Sequence, residues 1–259
     1  MSGLIGGTLG YRLLKRLGTS VAAGQDPCGG ANEGAGKLEA CFGPSIWQFL
    51  ANKTVVDFGC GAGHEAIALA KRGAKRVIGF DVRPEVLEIA RAASRAAGVG
   101  DRCLFTTKLD EPADVVISLD GFEHYDDPAA SLKAMRDLIH NSGCVLIAFG
   151  PPWFHPYGGH LFSVFPWAHL VFTEAALIRW RSDFKTDGAR RFCEVAGGLN
   201  QMTIRRFQEI VGSSEFDITT FELIPIRAAR RFWNPLLREY LTSIVKCTLV
   251  PRTARAEAA

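Results

Sequence analysis

The chain has 259 residues, 47% of them hydrophobic and 22% charged, which is an ordinary composition for one large globular domain. Its net charge of +3 is spread unevenly: +4 over residues 1–100, −5 over 101–170 and +4 over 171–259. The acidic middle argues against a nucleic-acid groove in that part of the chain.

Seven cysteines are scattered without a C-x-x-C pair, which is typical of reduced, mostly buried residues in a cytoplasmic protein. No signal-like charge precedes the apolar N-terminus, so no secretory signal is predicted. The longest apolar stretch, 161–180, is interrupted by Pro166, His169, Glu174 and Arg179. We therefore expect no transmembrane span.

Residues 1–50 are predicted to form a lead-in or cap segment. A short helix is expected over 9–17, a glycine-rich linker runs on to Gly36, and another helix is expected over 45–51. A disordered tail is the alternative for the first 35 residues.

Strands and helices alternate from there to residue 150. Strands are predicted over 55–57, 76–80, 103–107, 113–119 and 144–149, helices over 65–72, 84–97 and 128–139, and a turn at 141–143. This alternation predicts right-handed βαβ units and a parallel sheet.

The alternation stops at Gly150. Prolines and the Gly158-Gly159 pair disfavour a helix after it, so 151–200 is predicted to be an insertion after the fifth strand, folded over the ligand site. A helix over 203–211 and strands over 216–224 and 241–249 are expected to complete a main domain of residues 51–250, followed by a tail at 251–259.

The most informative stretch runs from Val55 to Ala66 and reads V-V-D-F-G-C-G-A-G-H-E-A. Alternate glycines leave backbone N–H groups open, so that a ligand can lie against them. The dinucleotide pattern G-x-G-x-x-G is not met, because His64 occupies its last glycine position. Asp57 would repel a pyrophosphate and would suit a ligand that carries an ammonium group.

This D-x-G-x-G-x-G pattern resembles motif I of the class I S-adenosylmethionine-dependent methyltransferases, in which the acid faces the methionine end of the cofactor. The resemblance covers residues 53–150 strongly and 201–250 by pattern only. It implies an α/β, Rossmann-like fold with a seven-stranded, mostly parallel sheet, and S-adenosyl-L-methionine as cofactor. An ordinary βα turn in another α/β protein is the alternative. The implied cofactor-binding residues here are Asp57, Gly59, Cys60, Gly61 and Gly63.

The ends of the second and third strands supply the adenosine side of the same implied site. Asp81 can accept hydrogen bonds from both ribose hydroxyls, with Val82 beside it, although a helix N-cap before Pro84 is a compatible reading. After the third strand the family usually offers an acid and a small residue to the adenine. Asp110 would take the acid's part and Leu109 would pack on the ring.

The fourth strand ends in L-D-G-F-E-H at 119–124, which resembles the post-strand motif of small-molecule methyltransferases of the ubiquinone-biosynthesis type. The resemblance implies that Asp120 borders the cofactor and that Glu123 and His124 are catalytic, His124 as a base that titrates near neutrality. The alternative is that Glu123 and His124 only cap and buttress the next helix.

Some relatives with an acid-x-x-Glu-His motif bind a divalent metal, and His155 or His160 in the insertion could complete such a site. The first acid here is Asp120, one carbon shorter than the family's Glu. We therefore assign no metal.

The aromatic residues of the insertion are predicted to line an acceptor pocket, namely Trp153, Phe154 and Tyr157, together with His160. A plugged sheet edge or a dimer contact is the alternative. The sequence thus predicts methyl transfer to a small, apolar or aromatic acceptor, with no nucleic-acid partner. A non-catalytic cofactor-binding scaffold and, less favoured, a nicotinamide oxidoreductase stay open, and the sequence does not indicate the oligomeric state.

Overall fold

The structure, a computed structural model, describes residues 3–22, 36–195 and 197–252. The predicted glycine-rich linker up to residue 35 and all of the predicted tail beyond Arg252 lie outside these residues. Within them, no helix is both long and apolar enough to cross a membrane.

The described residues contain seven strands: β1 (Thr54–Phe58), β2 (Arg76–Phe80), β3 (Cys103–Thr106), β4 (Ala113–Leu119), β5 (Ile139–Phe149), β6 (Phe216–Pro225) and β7 (Thr242–Pro251). The helices are α1 (Gly7–Leu17), α2 (Thr19–Ala22), α3 (Lys37–Phe42), α4 (Ile46–Leu50), α5 (His64–Lys71), α6 (Pro84–Ala96), α7 (Pro128–Leu138), α8 (Ala168–Val171), α9 (Glu174–Arg181), α10 (Ile204–Gly212) and α11 (Arg238–Leu241). Short 3₁₀ helices span His160–Phe162, Phe192–Glu194 and Arg227–Phe232.

All seven strands belong to one sheet in the order β3-β2-β1-β4-β5-β7-β6. The first five are parallel, whereas β7 is antiparallel to both β5 and β6. The predicted Rossmann-like fold with a seven-stranded, mostly parallel sheet is therefore confirmed. The order reverses between β1 and β4, which is where open α/β sheets bind ligands, beyond the carboxyl ends of the strands.

Helices cover both faces of this sheet. Since successive side chains of a strand point to opposite faces, neighbouring residues belong to different buried clusters. Val56 belongs to a buried cluster under α7 and α10, while its neighbour Val55 belongs to a second cluster under α4, α5 and α6. Both valines are completely buried, as expected for strands covered on both faces.

A third buried cluster joins the N-terminal segment to the insertion after β5. Leu14 of α1 shares it with Trp153, Phe172 and Trp180 of the insertion. A side chain at Gly10 would stand only 3.1 Å from Ala176 Cβ, so this glycine permits the close packing of α1 on α9. The N-terminal segment and the insertion thus pack together, while the predicted domain boundary at residue 50 stays a prediction.

Several short helices, namely α2, α3, α8 and α11, were not predicted, and two further differences have a physical reason. Residues 141–143 are not a simple turn, since β5 begins at Ile139, which pairs with Ala113, and the register shifts before Cys144 pairs with Val115. Helix α9 was not predicted. Buried residues lie on nearly all its sides, so its sequence lacks the amphipathic periodicity from which a helix is predicted.

Candidate functional site

The glycine turn between β1 and α5 presents an open backbone surface. Gly59, Gly61 and Gly63 all have positive φ angles, of 86°, 50° and 80°. A Cβ on Gly61 would find no atom nearer than Arg83 Nη2 at 4.0 Å, so this residue faces open space in the cleft. A Cβ on Gly63 would come within 2.8 Å of Ala90, so the third glycine serves packing instead.

Asp57, at the end of β1, is a buried carboxylate with one unsatisfied oxygen. Asp57 is 4% exposed, and its Oδ2 atom has no hydrogen-bond partner among the residues that the structure describes. Burial, with a further contribution from the Glu65 carboxylate, raises the pKa of Asp57 to about 7. A ligand that brings a cation to Oδ2 would complete the site and favour the ionised form.

This raised pKa predicts pH-dependent ligand binding. Because protonated Asp57 offers no charge to an ammonium group, the affinity for S-adenosylhomocysteine should fall as the pH drops below about 7. The Asp57→Asn variant should bind weakly at every pH, and calorimetric titrations between pH 8 and 5.5 measure both. A wild-type affinity that stays flat over this range would contradict the assignment.

The raised pKa of Asp57 also makes the stability of the ligand-free protein depend on pH, in the direction opposite to that of ligand binding. The folded-state pKa lies above the ordinary value of 3.8, so Asp57 contributes stability that is complete below that value and is lost as the pH rises through about 7. Ligand binding and stability therefore respond to pH in opposite directions at this one residue.

Asp81, at the end of β2, is fully engaged in hydrogen bonds. Its Oδ2 accepts from the Gly61 N–H at 3.0 Å and its Oδ1 from the Arg83 N–H at 3.0 Å, and the Arg83 guanidinium contacts both oxygens. Burial opposes ionisation, but the bonds from Arg83 and Gly61 hold the pKa of Asp81 below its usual value. The predicted ribose contact thus requires the half-exposed Arg83 side chain to move aside.

The other residues predicted to contact the adenosine follow β2 and β3, at the same edge of the sheet as Asp81. Val82 is 76% exposed, an unusual setting for a β-branched apolar residue. Leu109 is partly buried against the cluster under α7 and α10, and Asp110 is exposed. Their roles towards the adenine stay predictions.

Lys37 is a site residue that the sequence analysis missed. Its side chain is 13% exposed and its ammonium group contacts the carboxylate of Asp120. Glu65, in the first turn of α5, accepts hydrogen bonds from the backbone of Lys37 and Leu38, so the start of α3 is tied to the start of α5. Burial lowers the pKa of Lys37, although Glu123 and Glu65 oppose this. No motif surrounds Lys37, so nothing in the sequence signals that it reaches the end of β4.

Lys37 places a cation where the carboxylate of a bound amino acid would need one. We expect Lys37→Met to weaken the binding of S-adenosylhomocysteine by about 1.5–3 kcal/mol, the range for a hydrogen bond to a charged group. Decarboxylated S-adenosylmethionine should lose much less affinity, because it lacks the group that Lys37 would hold. Calorimetry measures both, with the exposed Lys71→Met as matched control. Equal losses for the two ligands would show that Lys37 acts only through the fold.

Glu123 and two histidines converge beyond β4. Glu123 is 2% exposed, its Oε1 accepts the Gly150 N–H at 3.1 Å and its Oε2 has no partner. His160 comes from the insertion, its ring 5.2 Å from that of His124, and its buried Nε2 also has no partner. One ligand atom from each of the three residues lies within 4.8 Å of the others. Burial and neighbouring His124 lower the pKa of His160 to about 3, so this ring is neutral.

A cavity of about 550 Å³ opens beside this cluster. His124 and His160 line it together with Phe162, Leu199 and the charged residues Arg181 and Lys185. Arg181 is held by a bidentate ion pair to Asp187, at 2.6 and 2.5 Å. The volume suits a small organic molecule, and the two histidines give the cavity polar lining groups.

The other predicted acceptor residues lie elsewhere in the insertion. Trp153 is 4% exposed and packs against Phe192. The ring of Phe154 lies 5.4 Å from that of Tyr240. Tyr157 donates its backbone N–H to His155 Nδ1 at 3.0 Å. Of the four residues predicted from the insertion, His160 lines the cavity beside Glu123, and the acceptor roles of the other three stay predictions.

The comparisons with known proteins point to one family. Residues 37–192, more than half of the chain, match the family described as "Methyltransferase domain". The chain is 43% identical over 98 residues to the ribosomal protein L11 methyltransferase of Serratia proteamaculans, covering 37% of this chain and 31% of that protein. It is 49% identical over 74 residues to that of Glaesserella parasuis, covering 27% and 25%. The chain thus matches less than a third of the length of these curated relatives.

Solved structures share the fold at low sequence identity. The cyclase SpnF superposes with a TM-score of 0.55 at 14% identity, covering 98% of this chain and 100% of that one. An S-adenosylmethionine-dependent methyltransferase from Mesorhizobium loti superposes with a TM-score of 0.51 at 16% identity, covering 80% and 96%. A cyclase and a methyltransferase thus share this architecture, so the likeness establishes the fold and not the reaction.

Proposed function

This chain belongs to the class I S-adenosylmethionine-dependent methyltransferases, and from that premise we propose that it transfers a methyl group to a small, apolar or aromatic acceptor held in the cavity beside Glu123. The observation that carries the acceptor assignment is the cavity lined by His124 and His160, next to Glu123, whose buried Oε2 has no hydrogen-bond partner among the residues that the structure describes.

Residues of the cleft fit the cofactor in charge and shape. The unsatisfied Asp57 Oδ2 suits its ammonium group, Lys37 its carboxylate and Asp81 its ribose hydroxyls. The open backbone at Gly61 leaves room for it to lie against the turn. When bound, S-adenosylmethionine supplies an already activated methyl group, so the protein mainly contributes proximity, orientation and exclusion of water.

Glu123 and His124 are the candidates to receive a proton from an acceptor hydroxyl or amine. Glu123 keeps one oxygen free because Gly150 occupies only the other. His124 is oriented by the 2.9 Å bond between its Nδ1 and the Gly198 carbonyl, which as an acceptor requires a proton on Nδ1. Neutral His160 can hold the same acceptor group by hydrogen bonding.

Three alternatives each have a specific observation or a specific test. A cofactor-binding protein without methyl transfer is compatible with the fold, and it would bind S-adenosylhomocysteine yet methylate nothing. A protein acceptor is suggested by the L11 methyltransferase relatives, although their matches are short and the cavity here is enclosed by the insertion. A nicotinamide oxidoreductase is disfavoured by Asp57 and His64, and calorimetry against NAD excludes or supports it directly.

The experiment is a methyl-transfer screen with tritiated S-adenosylmethionine over host lipophilic metabolites, with ribosomal proteins as a separate arm. Labelled small molecules would support the proposal. Label found only in protein would replace it with the second alternative. Cofactor binding without label in either arm would favour the non-catalytic protein.

A further inference from the structure

The connection between β6 and β7, residues 226–241, exposes an unusual number of large apolar side chains. Leu236 is 91% exposed, Phe232 55%, Leu237 42% and Tyr240 40%. Neither the 3₁₀ helix at Arg227–Phe232 nor α11 contains a buried residue. A cluster of large apolar side chains on a protein surface marks an interaction site, whereas single exposed apolar residues are common and need no explanation.

The same connection is strongly basic. It carries Arg227, Arg230, Arg231 and Arg238 against a single acid, Glu239. Among the residues that the structure describes, none of the four arginines forms a salt bridge: Arg238 bonds Gln208 and Arg231 lies over the Phe232 ring. The surface therefore presents an uncompensated positive charge around its apolar side chains.

The connection is held in a defined shape. Glu239 accepts the backbone N–H groups of Ile204 and Arg205 at 2.9 and 2.8 Å, at the start of α10. Trp233 Nε1 donates to Thr242 Oγ1 at 3.1 Å, which ties the 3₁₀ helix to β7. Glu239 and the Trp233 indole are thus bonded to the rest of the protein, whereas the arginines and leucines of the connection stay on the surface.

The connection lies at the same edge of the sheet as the candidate site. Because β5 and β6 are both antiparallel to β7, they run in the same direction, so the connection leaves β6 at the carboxyl edge of the sheet. The glycine turn, Asp81 and Glu123 follow strands at that same edge. Tyr240 of the connection also lies against Phe154 of the insertion.

We propose that residues 226–241 dock this protein on the surface of an anionic lipid bilayer, with Phe232, Leu236 and Leu237 inserted among the acyl chains and the arginines on lipid phosphates. Arginine and tyrosine side chains suit the interface between lipid and water, since each has an apolar body and a polar end. The charge favours an anionic surface over a zwitterionic one. Docking places the carboxyl edge of the sheet beside the membrane, where lipophilic molecules concentrate, but the proposal does not depend on methyl transfer.

The test is co-sedimentation of the full chain with vesicles of phosphatidylcholine alone and with about 30% phosphatidylglycerol added, at low and high salt. We expect binding to the anionic vesicles only, weakened by salt. Replacing Leu236 and Leu237 by Ser should lower the partition coefficient at least tenfold, since burying each leucine among the acyl chains contributes strongly to the free energy of binding. Replacing Arg230 and Arg231 by Gln should lower it about 25-fold, or roughly fivefold for each charge.

The matched control changes Ile89 to Ser and Arg95 to Gln on α6, both exposed and beside β2 and β3 at the opposite end of the sheet. It should bind vesicles like the unaltered protein. Circular dichroism checks that every variant is folded. Binding to neither vesicle, equal binding to both, or undiminished binding by the two connection variants would overturn the proposal. So would tight binding to RNA that the leucine substitutions leave unchanged, because it would identify a nucleic-acid surface instead.

Discussion

Replacing Gly61 by Val should abolish detectable binding of S-adenosylhomocysteine while the protein stays folded. A Cβ at this position points into open space in the cleft, with only Arg83 Nη2 at 4.0 Å. A branched side chain there would fill the space in the cleft that the ligand needs, and the turn cannot easily shift because the Gly61 N–H is bonded to Asp81. Isothermal titration calorimetry measures the loss.

The control for this substitution is Gly98→Val. Gly98 also has a positive φ angle, 72° against 50° for Gly61, and a Cβ on it would meet nothing within 4 Å. Each variant should therefore lose about 1–3 kcal/mol of stability from backbone strain. Gly98 precedes β3, at the edge of the sheet opposite the cleft, so its variant should bind normally. Normal binding by Gly61→Val would refute the glycine-turn assignment.

Replacing Glu123 by Gln should lower kcat for methyl transfer by about 10²–10⁴-fold, the usual contribution of a general base. Gln keeps the oxygen that accepts the Gly150 N–H, so the local fold is preserved. It cannot take a proton at the position of the unpartnered Oε2 atom. Single-turnover transfer to the acceptor found in the screen measures the chemical step.

His160→Ala should lower kcat/KM for the acceptor mainly through a higher KM, because a neutral ring that titrates only near pH 3 holds the acceptor and does not exchange its proton. Both variants should keep their affinity for S-adenosylhomocysteine. The exposed Glu209→Gln on α10 is the control and should change neither quantity. Unaltered transfer by both site variants would place the acceptor outside this cavity.

The sequence alone determined the sheet and which acids follow its strands at the ligand-binding edge. A strand that ends in Asp57, a turn of alternate glycines and an acid at Asp81 are local patterns, and the βαβ rhythm orders them. Because the carboxyl ends of parallel strands meet at one edge, such patterns suffice to bring Asp57, Asp81, Asp120 and Glu123 together. The separate signals were consistent with one another, which is why the family could be recognised.

Only the tertiary structure decided which residues complete the site from distant segments. Lys37 reaches Asp120 across 83 positions of the chain, and His160 joins Glu123 across 37. Nothing local signals Lys37, and the sequence named His160 only as one of four pocket candidates in the insertion, without showing which of them lies beside Glu123. Trp153, in contrast, looked like a pocket residue and is packed into the core that α1 and the insertion share. An aromatic residue in an irregular segment has the same sequence signature whether it packs inward or lines a cavity, and only long-range packing separates the two.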